Sequence, residues 1–349
     1  MYDVIIAGLG PAGSTLAAAL DSSLSVLAID KKSDTGRFMK PCGGLLAPDA
    51  QKALAQLGLN LPKEVLVDPQ IFSVRTIDMD NKLIRNYQRM YINLDRHKFD
   101  LWLMSQIPKN VSLHEGVVTK LEKTASGYKV FWLENGEEHS AECRYVVGAD
   151  GAHSRIRLSI APEFKCRSYL SVQQWFREEN PVPFYSCIFD SAVTDCYSWT
   201  ISKDGYFIFG GAYPHKNARQ NFEKQKKALE ESGMKFGEPI KTEACLVLRP
   251  ATANSFCCGK DNAFLIGEAA GFISPSSLEG ISSAIKSASA LAEVLNAKKA
   301  SPLKAYRKKT AGLRRALTFK IAKCPFMYNP FVRKFVMLSG LKTIPVKGQ

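Results

Sequence analysis

The residues with the clearest chemical meaning lie near the N-terminus, where Gly8, Gly10 and Gly13 form the pattern G-x-G-x-x-G. The glycines follow a short apolar run, and Asp30 ends a second apolar run further on. Gly8 would permit a tight turn, Gly10 would let a pyrophosphate approach the backbone, and Gly13 would let a helix pack on the strand. The helix N-terminus would favour phosphates, and Asp30 could accept hydrogen bonds from ribose hydroxyls. In this strand, turn, helix and strand context, the pattern predicts a dinucleotide-binding βαβ unit.

Residues beside this turn are further candidates for cofactor binding. Pro11 and Ala12 lie where the helix begins. Lys31 and Lys32 follow the acid, and although a solvated pair is the ordinary interpretation, we place Lys31 near the adenosine end of the ligand. Val118 ends an alternating, strand-like segment, and we expect it beside the cofactor as well.

Two later loops also follow apolar, strand-like runs. Asp150 and Gly151 end one such run, and open α/β sheets bind ligands at this carboxyl edge. Glu268 follows the other, where its carboxylate could bind polyol hydroxyls. The next helix is predicted to begin at Gly280 and Ile281, and its backbone N–H groups would favour the anionic form of a reduced flavin ring.

A fourth group surrounds a cysteine. The segment Lys40-Pro41-Cys42-Gly43-Gly44 predicts a tight turn that would let a flat ligand approach and would place Cys42 beside it. A turn with a buried thiol explains the same pattern equally well. Arg96 begins an amphipathic helix, where a cation is unfavourable, so we expect another partner for it, such as a pyrophosphate or a cofactor edge. Surface solvation is the alternative for Arg96.

The positive charge of the chain is concentrated at one end. The formal net charge is +14, and residues 298–349 contain fourteen Lys and Arg and no Asp or Glu, so the remaining 33 basic residues balance the 33 acidic ones. A basic helix predicted at residues 302–323 and the apolar clusters after it favour contact with an anionic membrane surface. A packed helix with a solvated basic face is the alternative. We expect no nucleic-acid partner, because the aromatic-rich segments are nearly neutral and lie far from the basic end.

Cysteine usage and hydropathy predict a cytoplasmic protein. The nine cysteines are irregularly spaced and include no C-x-x-C, which indicates reduced thiols and neither a disulfide framework nor a zinc site. No N-terminal signal-like segment is visible, and no apolar stretch approaches the length of a membrane span. We therefore expect a cytoplasmic location with peripheral membrane contact.

Together these motifs resemble the FAD enzymes with the p-hydroxybenzoate hydroxylase fold, over residues 1 to about 300. The matching segments are the first glycine turn with Asp30, Asp150-Gly151-x-x-Ser154-x-x-Arg157, and Gly267-Glu268-Ala269-Ala270-Gly271. The Cys42 turn and Tyr197-x-Trp199 look like the geranylgeranyl reductase branch. The chain departs from the usual pattern at Glu268, where that class has Asp, at Leu278, where it has Gly, and at Ser202, where it has Pro.

The resemblance implies a mixed α/β (α+β) fold with interleaved domains. It predicts a Rossmann-like FAD-binding domain, a mostly antiparallel β-sheet domain for the substrate, and a basic C-terminal helical region. The FAD-binding domain would comprise residues 1–66, 96–160 and 250–297. The substrate domain would comprise residues 67–95 and 161–249, and the C-terminal helical region residues 298–349.

The resemblance also implies an activity. An FAD-dependent oxidoreductase of this branch would reduce C=C bonds of a hydrophobic, isoprenoid substrate, with Cys42, Tyr197 and Trp199 around the substrate face of the flavin. Electrons would come from NAD(P)H or a ferredoxin-like donor, and no second G-x-G-x-x-G marks a nicotinamide domain. Two alternatives stay open, namely an FAD-dependent monooxygenase of an aromatic or apolar small molecule and a non-catalytic flavin-binding protein of the membrane surface.

Overall fold

A computed structural model describes residues 1–31, 40–178 and 184–346. Within this part of the chain there are sixteen strands and nine α-helices. The strands are β1 (Tyr2–Ala7), β2 (Val26–Asp30), β3 (Leu45–Leu46), β4 (Ile71–Asp78), β5 (Leu83–Asn93), β6 (Ser112–Glu115), β7 (Val117–Lys123), β8 (Tyr128–Glu134), β9 (Glu137–Gly148), β10 (Arg167–Arg177), β11 (Phe184–Phe189), β12 (Ser198–Lys203), β13 (Tyr206–Tyr213), β14 (Lys241–Arg249), β15 (Gly259–Lys260) and β16 (Ala263–Leu265). The helices are α1 (Pro11–Ala19), α2 (Pro48–Gln56), α3 (Arg96–Ser105), α4 (Arg155–Ile160), α5 (Ala218–Glu231), α6 (Ile281–Asn296), α7 (Pro302–Lys309), α8 (Ala311–Tyr328) and α9 (Pro330–Leu338).

The first sheet has the strand order β15-β16-β9-β1-β2-β6, and β7 and β8 extend it from β9. The strands β1, β2, β6, β9 and β16 pair in parallel. All five residues of β2 are buried, as expected for a strand with both faces covered. This sheet confirms the Rossmann-like part of the expected mixed α/β fold.

The strand β9 is longer than its apolar end suggests. Its first half pairs antiparallel with β8, and residues from Cys143 onward pair in parallel with β1. The apolar run before Asp150 is therefore the end of a twelve-residue strand that continues a hairpin into the parallel sheet. The hairpin half contains no fully buried residue and alternates half-buried and exposed residues from Glu138 to Glu142, because one of its faces meets solvent.

The second sheet has the order β14-β10-β13-β12-β11-β4-β5-β3. Its pairs are antiparallel except β4 with β11, which confirms the mostly antiparallel sheet. Aromatic side chains fill its core, including Tyr169, Phe176, Phe209 and Tyr213. The short strand β3 joins this sheet from a segment that we assign to the other domain, and the domain boundaries stay a prediction.

The C-terminal region differs from the single helix predicted at residues 302–323. Instead α7 ends at Lys309, α8 begins after Thr310, and α9 follows. At the junction, the backbone N–H and the hydroxyl of Thr310 both donate to the carbonyl of Tyr306, at 3.0 Å and 2.8 Å, so the helical hydrogen bond is kept there. The hydroxyl of the buried Tyr306 donates to the carbonyl of Leu265 at 2.9 Å and fixes α7 on the first sheet. No helix in the described part of the chain is long and apolar enough to cross a bilayer.

Candidate active site

Residues of both sheets line one cavity of 1080 Å³. Seventeen of the eighteen residues that the sequence singles out lie in its wall. They are Gly8, Gly10, Pro11, Ala12, Asp30, Lys31, Cys42, Gly43, Arg96, Val118, Asp150, Gly151, Tyr197, Trp199, Glu268, Gly280 and Ile281. The fold therefore brings the predicted residues together, while the role of each one stays a prediction.

The first turn forms what we call the glycine end of the cavity, with Gly8, Gly10 and Asp30 in its wall. Gly8 has a φ of +97°, and a Cβ at this position would lie 2.7 Å from the carbonyl oxygen of Ala149. A Cβ at Gly13 would lie 1.8 Å from the carbonyl oxygen of Gly8. The absence of a side chain at Gly13 lets α1 pack directly against the carbonyl of Gly8. Gly13 therefore lies behind the turn, and it is the one selected residue outside the cavity wall.

Asp30 and the start of α1 complete this end. The carboxylate of Asp30 accepts a hydrogen bond from the backbone N–H of Leu9, which holds the acid against the glycine turn. No side chain caps α1 at Gly10, so the free backbone N–H groups at the helix start can donate hydrogen bonds to phosphate oxygens. Lys31 is exposed at the cavity rim, and Lys32 lies outside the described residues.

The loop after β9 is fixed by its own acid. Asp150 Oδ2 accepts the backbone N–H of Arg155 at 2.7 Å, and burial raises the pKa of Asp150. The other carboxylate oxygen, Oδ1, is buried and has no hydrogen-bond partner within the described ranges. The guanidinium of Arg157 donates to the carbonyl of Ala269 at 2.9 Å and so ties this loop to the third one. A buried, unsatisfied oxygen in a cavity wall fits a hydrogen bond from a ligand.

In the third loop, Glu268 already has protein partners. Its Oε2 lies 2.8 Å from Lys40 Nζ, and its Oε1 accepts the N–H of Leu248 at 2.9 Å. This ion pair raises the pKa of Lys40, a residue to which the sequence analysis gives no role beyond the cysteine turn. The helix α6 begins at Ile281 with Gly280 as an N-cap that makes no side-chain hydrogen bond.

The thiol of Cys42 lies in a positive environment. Its Sγ accepts hydrogen bonds from the Gly44 N–H at 3.4 Å and from Arg96 at 3.6 Å. Arg96 also bonds Asp100 at 2.9 Å, so the fold supplies protein partners for the cation at the helix start. Burial by itself would raise the pKa of Cys42, but Arg96 and the Gly44 N–H outweigh it, and the pKa is lowered. Cys42 therefore ionises at a lower pH than an ordinary thiol.

A buried lysine binds the backbone of the cysteine turn, and no sequence pattern predicted this role for it. Lys203 Nζ donates to the carbonyls of Gly44 at 3.3 Å and Leu94 at 2.7 Å and to the side chain of Asn93. Gly44 has a φ of +62°, and a Cβ there would lie 2.7 Å from Lys203 Nζ. Burial lowers the pKa of Lys203 to about 8.

What we call the aromatic end of the cavity begins at Tyr197 and Trp199, whose ring centroids are 5.8 Å apart. The hydroxyl of Tyr197 donates to the carbonyl of Ser277 at 2.6 Å. A Cβ at Gly43 would lie 3.6 Å from Trp199 Nε1, so the cysteine turn and the aromatic wall meet here. Trp199 Nε1 is buried and has no hydrogen-bond partner among the residues described.

The segment before α6 adds two residues that sequence reasoning assigned no role. Leu278 has a φ of +51°, the left-handed conformation that the glycine of the related class would adopt easily. Glu279 lines the cavity, and its Oε1 accepts a hydrogen bond from the hydroxyl of Tyr91 at 3.3 Å. Burial raises the pKa of Glu279. The departure at Leu278 was the only signal that this segment is unusual.

These features fit an extended flavin dinucleotide. A glycine cradle, an acid at the end of β2 and two helix starts without side-chain caps line the same cavity. The buried atoms Asp150 Oδ1 and Trp199 Nε1 lack partners within the described part of the chain. The fold and the cavity thus define the class of FAD-dependent flavoproteins with the p-hydroxybenzoate hydroxylase fold.

Comparison with known proteins gives the family. Residues 109–318 match the family described as "FAD binding domain", and the chain belongs to that family of FAD-dependent oxidoreductases and monooxygenases. The chain is 51% identical over 347 residues to Protein CbrA of Escherichia coli O6:H1 (strain CFT073), covering 99% of this chain and 95% of that protein. Protein CbrA of Shigella sonnei (strain Ss046) is also 51% identical, with 99% and 98% covered.

Solved structures show the same fold at lower identity. A geranylgeranyl bacteriochlorophyll reductase-like protein from Thermoplasma acidophilum has a TM-score of 0.74 at 19% identity, with 96% of this chain and 98% of that chain covered. The flavin-dependent brominase Bmp2 has a TM-score of 0.66 at 21% identity, with 97% and 92% covered. HpxO of Klebsiella pneumoniae, complexed with FAD and uric acid, has 0.65 at 16%, with 97% and 92% covered. These likenesses establish the fold and leave the reaction open.

Proposed function

We propose that this flavoprotein reduces C=C bonds of a long hydrophobic, isoprenoid (geranylgeranyl-type) substrate. The observation that carries the proposal is the contact between the cysteine turn and the aromatic wall, where Gly43 lies against Trp199. This contact puts the ionisable thiol of Cys42 and the ring of Trp199 in one cavity wall. The two segments that resemble the geranylgeranyl reductase branch are far apart in sequence, and their meeting at one cavity supports a shared role.

The walls beyond the aromatic end favour a long apolar substrate. They are formed by β4, β11 and the helices α8 and α9. The apolar side chains in this part of the wall are Val74, Tyr185, Phe189, Phe326, Met327, Val336 and Met337. Such a wall would bind an aliphatic chain by burial of apolar surface, without many directional contacts.

Reduced FAD, when bound, supplies hydride chemistry at its N5, and NAD(P)H or a ferredoxin-like donor would supply the electrons. Reduction of an alkene also needs one proton at the second carbon. Glu279 is the acid that we assign to this task, because its carboxyl lines the cavity and burial raises its pKa. Tyr91 would hold that carboxyl in place through its hydroxyl. Tyr197 and Trp199 would position the chain, and Cys42 would flank the reacting bond.

Anaerobic photoreduction of the purified, flavin-loaded protein tests the proposal. The reduced protein is mixed with polyprenyl alkenes, quinones or aromatic acceptors without oxygen, and the absorbance of oxidised flavin is followed. We expect a polyprenyl alkene to reoxidise the flavin and to gain two hydrogen atoms, as measured by mass spectrometry.

Two other outcomes would overturn the proposal. Reoxidation that requires oxygen and adds an oxygen atom to an aromatic or apolar compound would identify a monooxygenase. The protein would be a flavin-binding protein without turnover if no acceptor reoxidises a flavin reduced by NAD(P)H, by a ferredoxin-like donor or by light.

A further inference from the structure

The last two helices present an apolar surface to solvent. Seven large apolar side chains of α8, α9 and the turn that follows are more than half exposed. They are Phe319 at 70%, Phe326 at 67%, Phe331 at 69%, Phe335 at 59%, Val336 at 57%, Leu338 at 52% and Leu341 at 71%. Monomeric proteins in water seldom expose so many large apolar side chains in one region unless the region contacts a partner or a membrane.

These helices are held in place by polar contacts, so the exposed face is not a loosely docked helix. The buried Arg333 makes two 2.8 Å hydrogen bonds to Asp78 and one of 2.6 Å to Asp80. The hydroxyl of Tyr328 donates to the carbonyl of Ser276 at 2.7 Å, next to the segment before α6. Because the polar side chains point into the body, the phenylalanines of α9 point away from it.

The charge of this surface matches an anionic bilayer. Residues 311–342, which span α8, α9 and the turn after them, contain seven Lys and Arg and no acidic residue. Lys323, Lys334 and Lys342 are exposed among the apolar side chains. Exposed lysines beside exposed phenylalanines are the combination by which helices lie in the interface of an anionic membrane.

The same surface contains the mouth of the cavity. Lys323, Phe326 and Val336 line the cavity that also holds Cys42 and Glu279. Because Phe326 and Val336 are also more than half exposed, they must lie where the cavity meets solvent. A membrane that covers α8 and α9 would therefore cover this opening.

We propose that α8, α9 and the turn after them form a membrane-facing surface that lies on an anionic bilayer, and that the cavity is filled from the lipid phase between Phe326 and Val336. The route for the substrate rests on the proposed function, whereas the membrane contact does not. Since no described helix can span a bilayer, the surface would lie on the membrane without crossing it.

Vesicle sedimentation of the full-length, flavin-loaded protein tests the contact. Vesicles of phosphatidylcholine alone are compared with vesicles that also contain phosphatidylglycerol. We expect binding to the anionic vesicles, weakened by added salt. The double variant Phe331→Ser/Phe335→Ser should lower the partition coefficient at least about 10-fold, since two apolar anchors are lost. Leu113→Ser/Ile240→Ser is the control, because both residues are about half exposed, at 49% and 51%, and lie outside this surface.

A turnover comparison separates the two proposals. Neither Phe331 nor Phe335 lines the cavity, so the double variant should keep wild-type turnover of a short, soluble alkene and lose turnover of a long-chain alkene embedded in vesicles. The proposed membrane contact would be wrong if wild-type protein stays in the supernatant with anionic vesicles. It would also be wrong if the double variant binds these vesicles as well as wild type does. A stable dimer that fails to bind vesicles would overturn the contact too, because a second copy would then cover this face. Vesicle binding without alkene turnover would overturn the proposed function and leave the contact standing.

Discussion

At the glycine end of the cavity, around Gly8 and Asp30, the wall is formed mainly by residues with little or no side chain, whereas at the aromatic end, around Tyr197 and Glu279, it is formed by residues with large side chains. The glycine end comes from one βαβ unit within the first thirty residues. The aromatic end combines β5, β11, β12 and the start of α6, which are far apart in the chain. Backbone recognition suits a cofactor shared by many enzymes, and side-chain walls suit a substrate that differs among them.

This difference predicts that the two ends can be disrupted separately. Damage at the glycine end should remove the cofactor and with it all activity. Damage at the aromatic end should leave the flavin bound and change turnover or substrate choice.

The largest effect is expected from Gly10→Val. A side chain at the start of α1 would occupy the space through which a pyrophosphate approaches the backbone. The Kd for FAD should rise more than about 1,000-fold, equivalent to about 4 kcal/mol, and the purified protein should be colourless. Gly237→Val is the matched control, because nothing lies within 4 Å of a Cβ built at Gly237. Stoichiometric FAD in the Gly10→Val protein would contradict the assignment of this turn.

Glu279→Gln should act at the aromatic end alone. The variant should keep its flavin while kcat for alkene reduction falls about 100-fold, since general acid catalysis contributes at least that much. The wild-type rate should fall as pH rises through the raised pKa of Glu279, because only the protonated carboxyl donates, and the variant should lose this pH dependence. Glu293→Gln, an exposed position on the helix α6 that follows Glu279, should change neither property. An unchanged kcat in Glu279→Gln would exclude this carboxyl as the proton donor.

Two cysteines that line the cavity should differ in reactivity. The pKa of Cys42 is lowered, because Arg96 and the Gly44 N–H outweigh the effect of burial, whereas burial raises the pKa of Cys245 to about 11. At pH 8, iodoacetamide should therefore alkylate Cys42 about ten times faster than Cys245, because only the thiolate reacts. Peptide mapping by mass spectrometry measures both rates in one sample. Equal rates would show that Arg96 does not control the charge of Cys42.

The smallest effect concerns the backbone at Leu278. Leu278→Ala removes the side chain but keeps the left-handed conformation, while Leu278→Gly also removes the backbone strain. Denaturant unfolding should show the glycine variant to be more stable than the alanine variant by about 1 kcal/mol. If the alanine variant is as stable, the residue is not strained, and its departure from the glycine of related enzymes has no backbone consequence.

Sequence reasoning worked where a structure depends on neighbouring residues. The strand, glycine turn and helix at Gly8 to Gly13 follow from local sterics, and so does the helix start at Arg96, where Asp95 caps the first turn. It failed for α7 and α8, which were expected as one helix, because the direction of α7 depends on the contact of Tyr306 with Leu265, 41 positions away, which periodicity does not reveal.

The sequence alone therefore determined the class of cofactor site and the concentration of positive charge at residues 298–349. Only the tertiary structure placed Lys203 beneath Gly44, 159 positions away, and Tyr91 against Glu279, 188 positions away. Only the structure showed that the phenylalanines of α9 face outward and that Phe326 and Val336 lie at the mouth of the cavity. The physical reason is that turns and helix starts are fixed by short-range sterics and hydrogen bonds. Contacts between distant segments are fixed by the packing of the whole chain.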